Sequence, residues 1–171
     1  RQIKETIYEY SYAKFIESIW MVLYDLKIPN LHVVFKESIS EDWSESVKGE
    51  LCEKFNLSYE NVYHRTRHSE PFCYAGEIIS MSDIVVSAHY AHSTVAFEAI
   101  SMRKKLLIME PNNITPHPFE AYSLPLVAKS DKELEISFRW LLDTPQDEYE
   151  ELVRPIIRDW SRLSDGNMVR A

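Results

Sequence analysis

An α/β fold, a Rossmann-like parallel sheet of about five strands flanked by helices, is what this sequence predicts, on three observations. Short apolar runs alternate with stripes at helical spacing; the runs are nearly continuous, as in strands covered on both faces; and helix-capping residues follow them closely. Alternation of this kind closes through right-handed crossovers into a parallel sheet. A hydrophobic fraction of 45% in 171 residues supplies one core, so residues 1–171 read as a single domain. The chain opens on Arg1 and enters a helix at once, so we expect a domain excised from a longer two-domain protein.

The first helix covers residues 3–27, where Tyr8, Tyr12, Phe15, Ile16, Ile19, Leu23 and Leu26 make one buried face and Pro29 is the stop. Leu31-His32-Val33-Val34-Phe35 shows little polar alternation and reads as a central strand. Ser40, with Glu41 and Asp42 at the positive end of the dipole, starts a second helix whose stripe is Trp43, Val47, Leu51 and Phe55. Residues 61–64 are a weak strand, 74–81 a short helix, 83–87 a strong strand, 93–102 a helix and 105–109 a strand. A proline-rich loop holding Pro111, Pro116 and Pro118 leads to a short strand at 126–128. Ser130-Asp131-Lys132-Glu133 is then a capping box, with Leu134, Phe138, Leu141 and Leu142 as the stripe behind it. Thr144-Pro145 ends that helix. Tyr149, Leu152, Val153, Ile156, Trp160 and Leu163 mark the last one, which Pro155 should kink and Ser164-Asp165-Gly166-Asn167 should end.

A net charge of −8, from 19 basic and 27 acidic residues, disfavours nucleic acid and anionic membrane as general partners. Cys52 and Cys73 lack the spacing of a disulfide framework or a zinc site, and no apolar run approaches the roughly 20 residues of a membrane span. A soluble protein of the reducing cytoplasm is expected.

In an open parallel sheet, ligands bind beyond the carboxyl ends of the strands. The loops there start at Lys36-Glu37-Ser38, Arg65-Thr66-Arg67-His68, Ala88 to His92, and Glu110-Pro111-Asn112-Asn113. The third is the most informative. Ser93 reads as an N-cap, and the free N–H groups of the first turn, joined by the Ser93 and Thr94 hydroxyls, make a site for phosphate. Thr94 and Glu98 stand at i and i+4, on one face and about one pitch (~5.4 Å) apart. An ionised carboxylate there can accept from both hydroxyls of a ribose. A plain cap at Ser93 and a solvated glutamate at Glu98 fit the same spacing.

The order of these features resembles the donor-nucleotide half of GT-B glycosyltransferases of bacterial surface-polysaccharide type. It is carried by Met81-Ser82-Asp83-Ile84-Val85-Val86-Ser87, a short loop, Ser93-Thr94, Phe97-Glu98-Ala99 and Arg103-Lys104-Lys105-Leu106-Leu107-Ile108. The leading helix, the strand ending in Lys36, the capping-box helix and Asp165-Gly166 before Arg170 extend it over most of the chain. The resemblance implies the C-terminal half of a GT-B fold that binds a nucleotide-sugar. Glu98 would hold the ribose, Ser93 and Thr94 the phosphate, and Lys36 would add charge to the leaving group. It implies no metal and no cofactor beyond the donor. The acceptor, a glycan or lipid-linked, would come through an N-terminal domain this chain lacks, which would also carry the general base. The isolated domain is therefore expected to be inactive alone, and the full-length protein to touch membranes peripherally. Tyr90 stands where one large branch has the first glutamate of a Glu-x7-Glu pattern, and only Lys36 remains of a Lys-Pro-His-Pro motif.

His89 and His92 lie in the same loop and read as phosphate contacts or as plain loop residues. A zinc site would need further ligands from His64, His68 or His117, and no metal is expected. The basic run around Arg65 sits where the nucleobase lies in this architecture, and reads as donor-facing or as a solvated loop. Arg103-Lys104-Lys105 reads as a complement to a helix C-terminus, and Trp140 and Trp160 as packing. Two other classes stand beside the transferase: a nucleotide-sugar epimerase-like domain, whose serine and paired-glycine loop is missing here, and a noncatalytic module binding a partner protein.

Overall fold

Five short strands form, every ladder between them parallel, in a computed structural model that describes residues 16–36, 49, 52–53, 62–65, 75–88, 94–110 and 116–164. β1 (Val33–Lys36) pairs with β2 (Val62–Arg65), from Val33 opposite Val62 to Lys36 opposite Arg65. β3 (Ile84–Ala88), β4 (Lys105–Met109) and β5 (Val127–Ala128) form a second sheet in that order. Ile84 faces Lys105, Ala88 faces Met109, and Ile108 faces Val127. The fold is thus α/β, with a small parallel sheet of three strands flanked by helices. Where one sheet of about five strands is expected, the strands fall as a pair and a trio, and among the described residues no ladder joins β1 to β3.

β4 is the strand covered on both faces: Leu106, Leu107, Ile108 and Met109 are all buried. In β1, expected to be central, Val33 is half-buried against the core and Val34 is exposed.

The helix over residues 16–26, α1, buries Ile16, Ser18, Ile19, Trp20, Val22 and Leu23. At 100° per residue these positions cover more than half the circumference, a wider face than the expected stripe. The second predicted helix falls mostly outside the described residues, although Gly49, Cys52 and Glu53 are helical and Cys52 is buried. α2 (Ala75–Met81) and α3 (Thr94–Ser101) precede β3 and β4 as the alternation requires.

Within the proline-rich loop the structure places a 3₁₀ helix, Pro118–Tyr122, that the sequence reading missed. Its cap is His117: Nδ1 accepts from the Phe119 N–H at 3.2 Å, while the Glu120 carboxylate accepts from the His117 N–H at 2.8 Å. That reciprocity is a capping box, with a histidine where serine or threonine is usual. At α4 (Asp131–Asp143) the expected box is half formed. Ser130 Oγ accepts from the Glu133 N–H at 3.3 Å, but the Glu133 carboxylate reaches past Ser130 to the Lys129 N–H at 2.7 Å. Leu142, expected on the buried stripe of α4, is exposed, and Ser137 is buried with Leu134, Phe138 and Leu141.

α5 (Gln146–Ser164) runs on through Pro155 and buries Tyr149, Val153 and Ile156; Leu152, expected on that face, is exposed. The predicted stop at residues 165–167 lies outside the described residues. No helix among those described is long and apolar enough to cross a membrane.

Candidate functional site

α3 begins at the carboxyl end of the three-stranded sheet, joined to β3 through residues 89–93. Its inward face is Ala96, Ala99 and Ile100, all buried, and the two alanines let the helix backbone lie close to what it covers. Thr94, Glu98, Ser101 and Met102 form the outward stripe. Thr94 and Glu98 thus share one exposed face, and the Glu98 carboxylate has no partner among the described residues. Ser93, His89 and His92, the other candidates from this loop, lie outside the described residues.

Lys36 and Arg65 fall on the last residues of β1 and β2, not in the loops after them, and the register makes them direct neighbours across the pair. Two cationic residues therefore end adjacent parallel strands, with about 4.8 Å between those strands. Four of the seven candidates are described, and the structure groups them as two pairs: Lys36 with Arg65, and Thr94 with Glu98.

Two buried polar residues share the same end of the sheet. Ser87 is the penultimate residue of β3, and Glu110, 2% exposed, follows the last residue of β4. The Glu110 N–H continues the ladder to the Ala128 carbonyl at 2.8 Å, and neither residue is without further interactions. The sequence reading passed over Glu110 as a loop member; a carboxylate directly after an apolar strand was the available signal, since a charge so placed must be compensated as it is buried.

Beyond β5 a polar cluster ties the loops together. Lys129 Nζ donates to Glu120 Oε2 at 2.7 Å, and this bond, with the His117 N–H, holds the Glu120 carboxyl below its usual range against the opposing effect of burial. His117, weighed as a zinc ligand, is buried and engaged as a cap. Among the described residues no group of three or more His, Cys, Asp or Glu is placed to hold a metal ion.

The basic run after α3 has a different role at each position. Arg103 adopts φ 58°, with its N–H donating to the Ile100 carbonyl and the Lys104 N–H to that of Ala99, a Schellman stop without glycine. The Arg103 guanidinium pairs with Glu150 at 3.2 Å. Lys105 serves another helix: its Nζ donates to the carbonyls of Leu141 and Thr144, both at 2.6 Å, at the end of α4. Trp140 packs on Tyr149, and Trp160 on Phe97 and Phe119, as expected of packing residues.

The fold defines an α/β protein in which exposed Thr94 and Glu98 share one face of the helix that follows β3. No protein-family model, characterised protein or solved structure matches the chain.

Proposed function

We propose that this chain is the donor-binding half of a GT-B-type glycosyltransferase, which moves a sugar from a nucleotide-sugar to a glycan or lipid-linked acceptor in polysaccharide biosynthesis. One observation carries the reading: Thr94 and Glu98 lie on a single exposed face of a helix that starts where β3 ends. The first-turn N–H groups and hydroxyls of Ser93 and Thr94 receive the phosphate, and Glu98 accepts from the ribose hydroxyls one turn on.

In this reading the pair and the trio belong to one Rossmann-like sheet in the order β2-β1-β3-β4-β5. The parallel sense of every ladder and the packing of Val33 on the common core support it. The strand order then reverses between β1 and β3, and a ligand is expected in the crevice at such a reversal. Lys36, with Arg65 beside it, would border that crevice from one side and α3 from the other.

Glycosyl transfer breaks a bond to phosphate and leaves negative charge on it. Preorganised N–H groups and a lysine stabilise that charge more as it develops than in the bound donor, which is where a rate gain arises. The acceptor and the general base belong to a domain outside this chain.

Titrating UDP, CMP and GDP while following the melting temperature tests the reading. At least one should raise Tm, and Glu98→Ala should weaken that nucleotide's binding by roughly tenfold, the scale of losing hydrogen bonds to a charged acceptor. No response to any of the three would overturn it and favour a noncatalytic binding module.

A further inference from the structure

Phe97 lies next to Glu98 in α3, and its ring is held by three others from outside that helix. The His117 ring stacks on it with centroids 6.1 Å apart and planes 27° apart; Phe119 meets it edge-on at 5.3 Å and Trp160 tilted at 5.3 Å. His117 also meets Phe119 edge-on at 4.7 Å. Trp160 is itself fixed, its Nε1–H donating to Tyr122 Oη at 3.2 Å, while the Tyr122 hydroxyl donates to Asp159 at 3.0 Å. His117 thus does two separable things: its Nδ1 caps the 3₁₀ helix, and its ring face braces α3.

We infer that His117 is a positioning residue for the donor helix, acting through Phe97 to set the rotation of α3 and hence where Glu98 points. This rests on the donor reading above for its functional consequence, and on the ring geometry alone for the bracing. Turning an α-helix by one residue moves a side chain by 100°, so a brace at position 97 governs the neighbouring carboxylate. His117 follows β4 and α3 follows β3, so the brace joins the segment after one strand to the helix after its neighbour.

Two substitutions separate the roles. His117→Asn keeps an acceptor for the Phe119 N–H, asparagine being among the best caps, and removes the ring. His117→Phe keeps a ring and leaves that buried N–H without its acceptor. In hydrogen exchange on the full chain, amides of residues 95–101 should exchange faster in the Asn variant than in wild type and at near wild-type rates in the Phe variant. Melting temperature should fall in the opposite order, further for Phe than for Asn. Nucleotide affinity should drop about threefold for Asn and be restored for Phe, the scale of one aromatic pair.

A residue needed only for stability would move exchange, affinity and melting in the same order. Exchange of α3 unchanged in the Asn variant, or equal in the two variants, overturns the inference. If wild type binds none of UDP, CMP and GDP, the donor reading falls, and the exchange pattern still decides whether His117 braces α3.

Discussion

The Tyr149 hydroxyl accepts the Leu106 N–H at 3.1 Å, and so continues the row of β4 donors past the end of β5. β5 is two residues long, and it and the residue before it take the N–H groups of Glu110, through Ala128, and Ile108, through Leu126. Leu106 comes one step earlier in that row, where β5 has not yet begun and no other strand among the described residues lies on that side. A tyrosine from α5 fills the gap, donating its own proton to the Lys104 carbonyl at 3.1 Å, and its burial pushes the phenol well above its ordinary pKa.

Tyr149→Phe should therefore destabilise the chain by about 1–3 kcal/mol, because it leaves a buried N–H and a carbonyl without their partner while keeping the ring. Urea unfolding followed by circular dichroism measures it. An unchanged midpoint would mean that water satisfies the start of β4.

Lys105→Met keeps the aliphatic stem and removes the ammonium that two carbonyls at the end of α4 share. A loss of about 1.5–3 kcal/mol is expected, the range for hydrogen bonds from a charged donor. Thermal melts with matched denaturant curves check it.

Ser18 Oγ is buried on α1 with no hydrogen-bond partner among the described residues. Replacing an unpaired buried hydroxyl by a methyl removes a desolvation cost, so Ser18→Ala should be neutral or stabilising by up to about 1 kcal/mol. A clear loss of stability in the same urea assay would show that the hydroxyl is satisfied in solution.

Glu98 is exposed and its carboxylate has no partner among the described residues. Glu98→Gln should thus change the stability of the free protein by no more than about 0.5 kcal/mol. It should still weaken the nucleotide that binds, because an amide accepts less strongly than a carboxylate. Isothermal titration beside a melt separates the two effects.

Glu120 is more acidic in the folded chain than its ordinary value of 4.5, chiefly through the Lys129 hydrogen bond. Below that value the unfolded chain takes up the proton first. The stability Glu120 contributes is whole above about pH 4.5 and drains away as pH falls through its lower folded value. Glu120→Gln should lower the neutral plateau of a stability–pH profile and thereby flatten its acid limb. A mutant profile parallel to wild type down the acid limb would exclude the pair as its source.

Much of the fold was legible because strand and helix each impose a local period. β4 was placed at residues 105–109 as the structure has it, since a strand buried on both faces is written as an unbroken apolar run. The last two helices were legible from Ser130 and Thr144-Pro145, which mark ends through their own backbone chemistry. The 3₁₀ helix was missed because prolines normally signal a loop, and its cap is a histidine whose ring nitrogen does the work of a hydroxyl. Leu142 and Leu152 were misplaced because periodicity assigns a face but not its width, which depends on what packs against the helix.

The candidate site divides in the same way. The sequence alone determined that Thr94 and Glu98 share a face, because the turn of a helix is a local property. That Lys36 and Arg65 are neighbours, that Glu110 is buried, and that Phe97 is braced by His117 and Trp160 came only from the tertiary structure. Strand register, burial and ring contacts join residues far apart in the chain, and no local period encodes which distant partner each will meet.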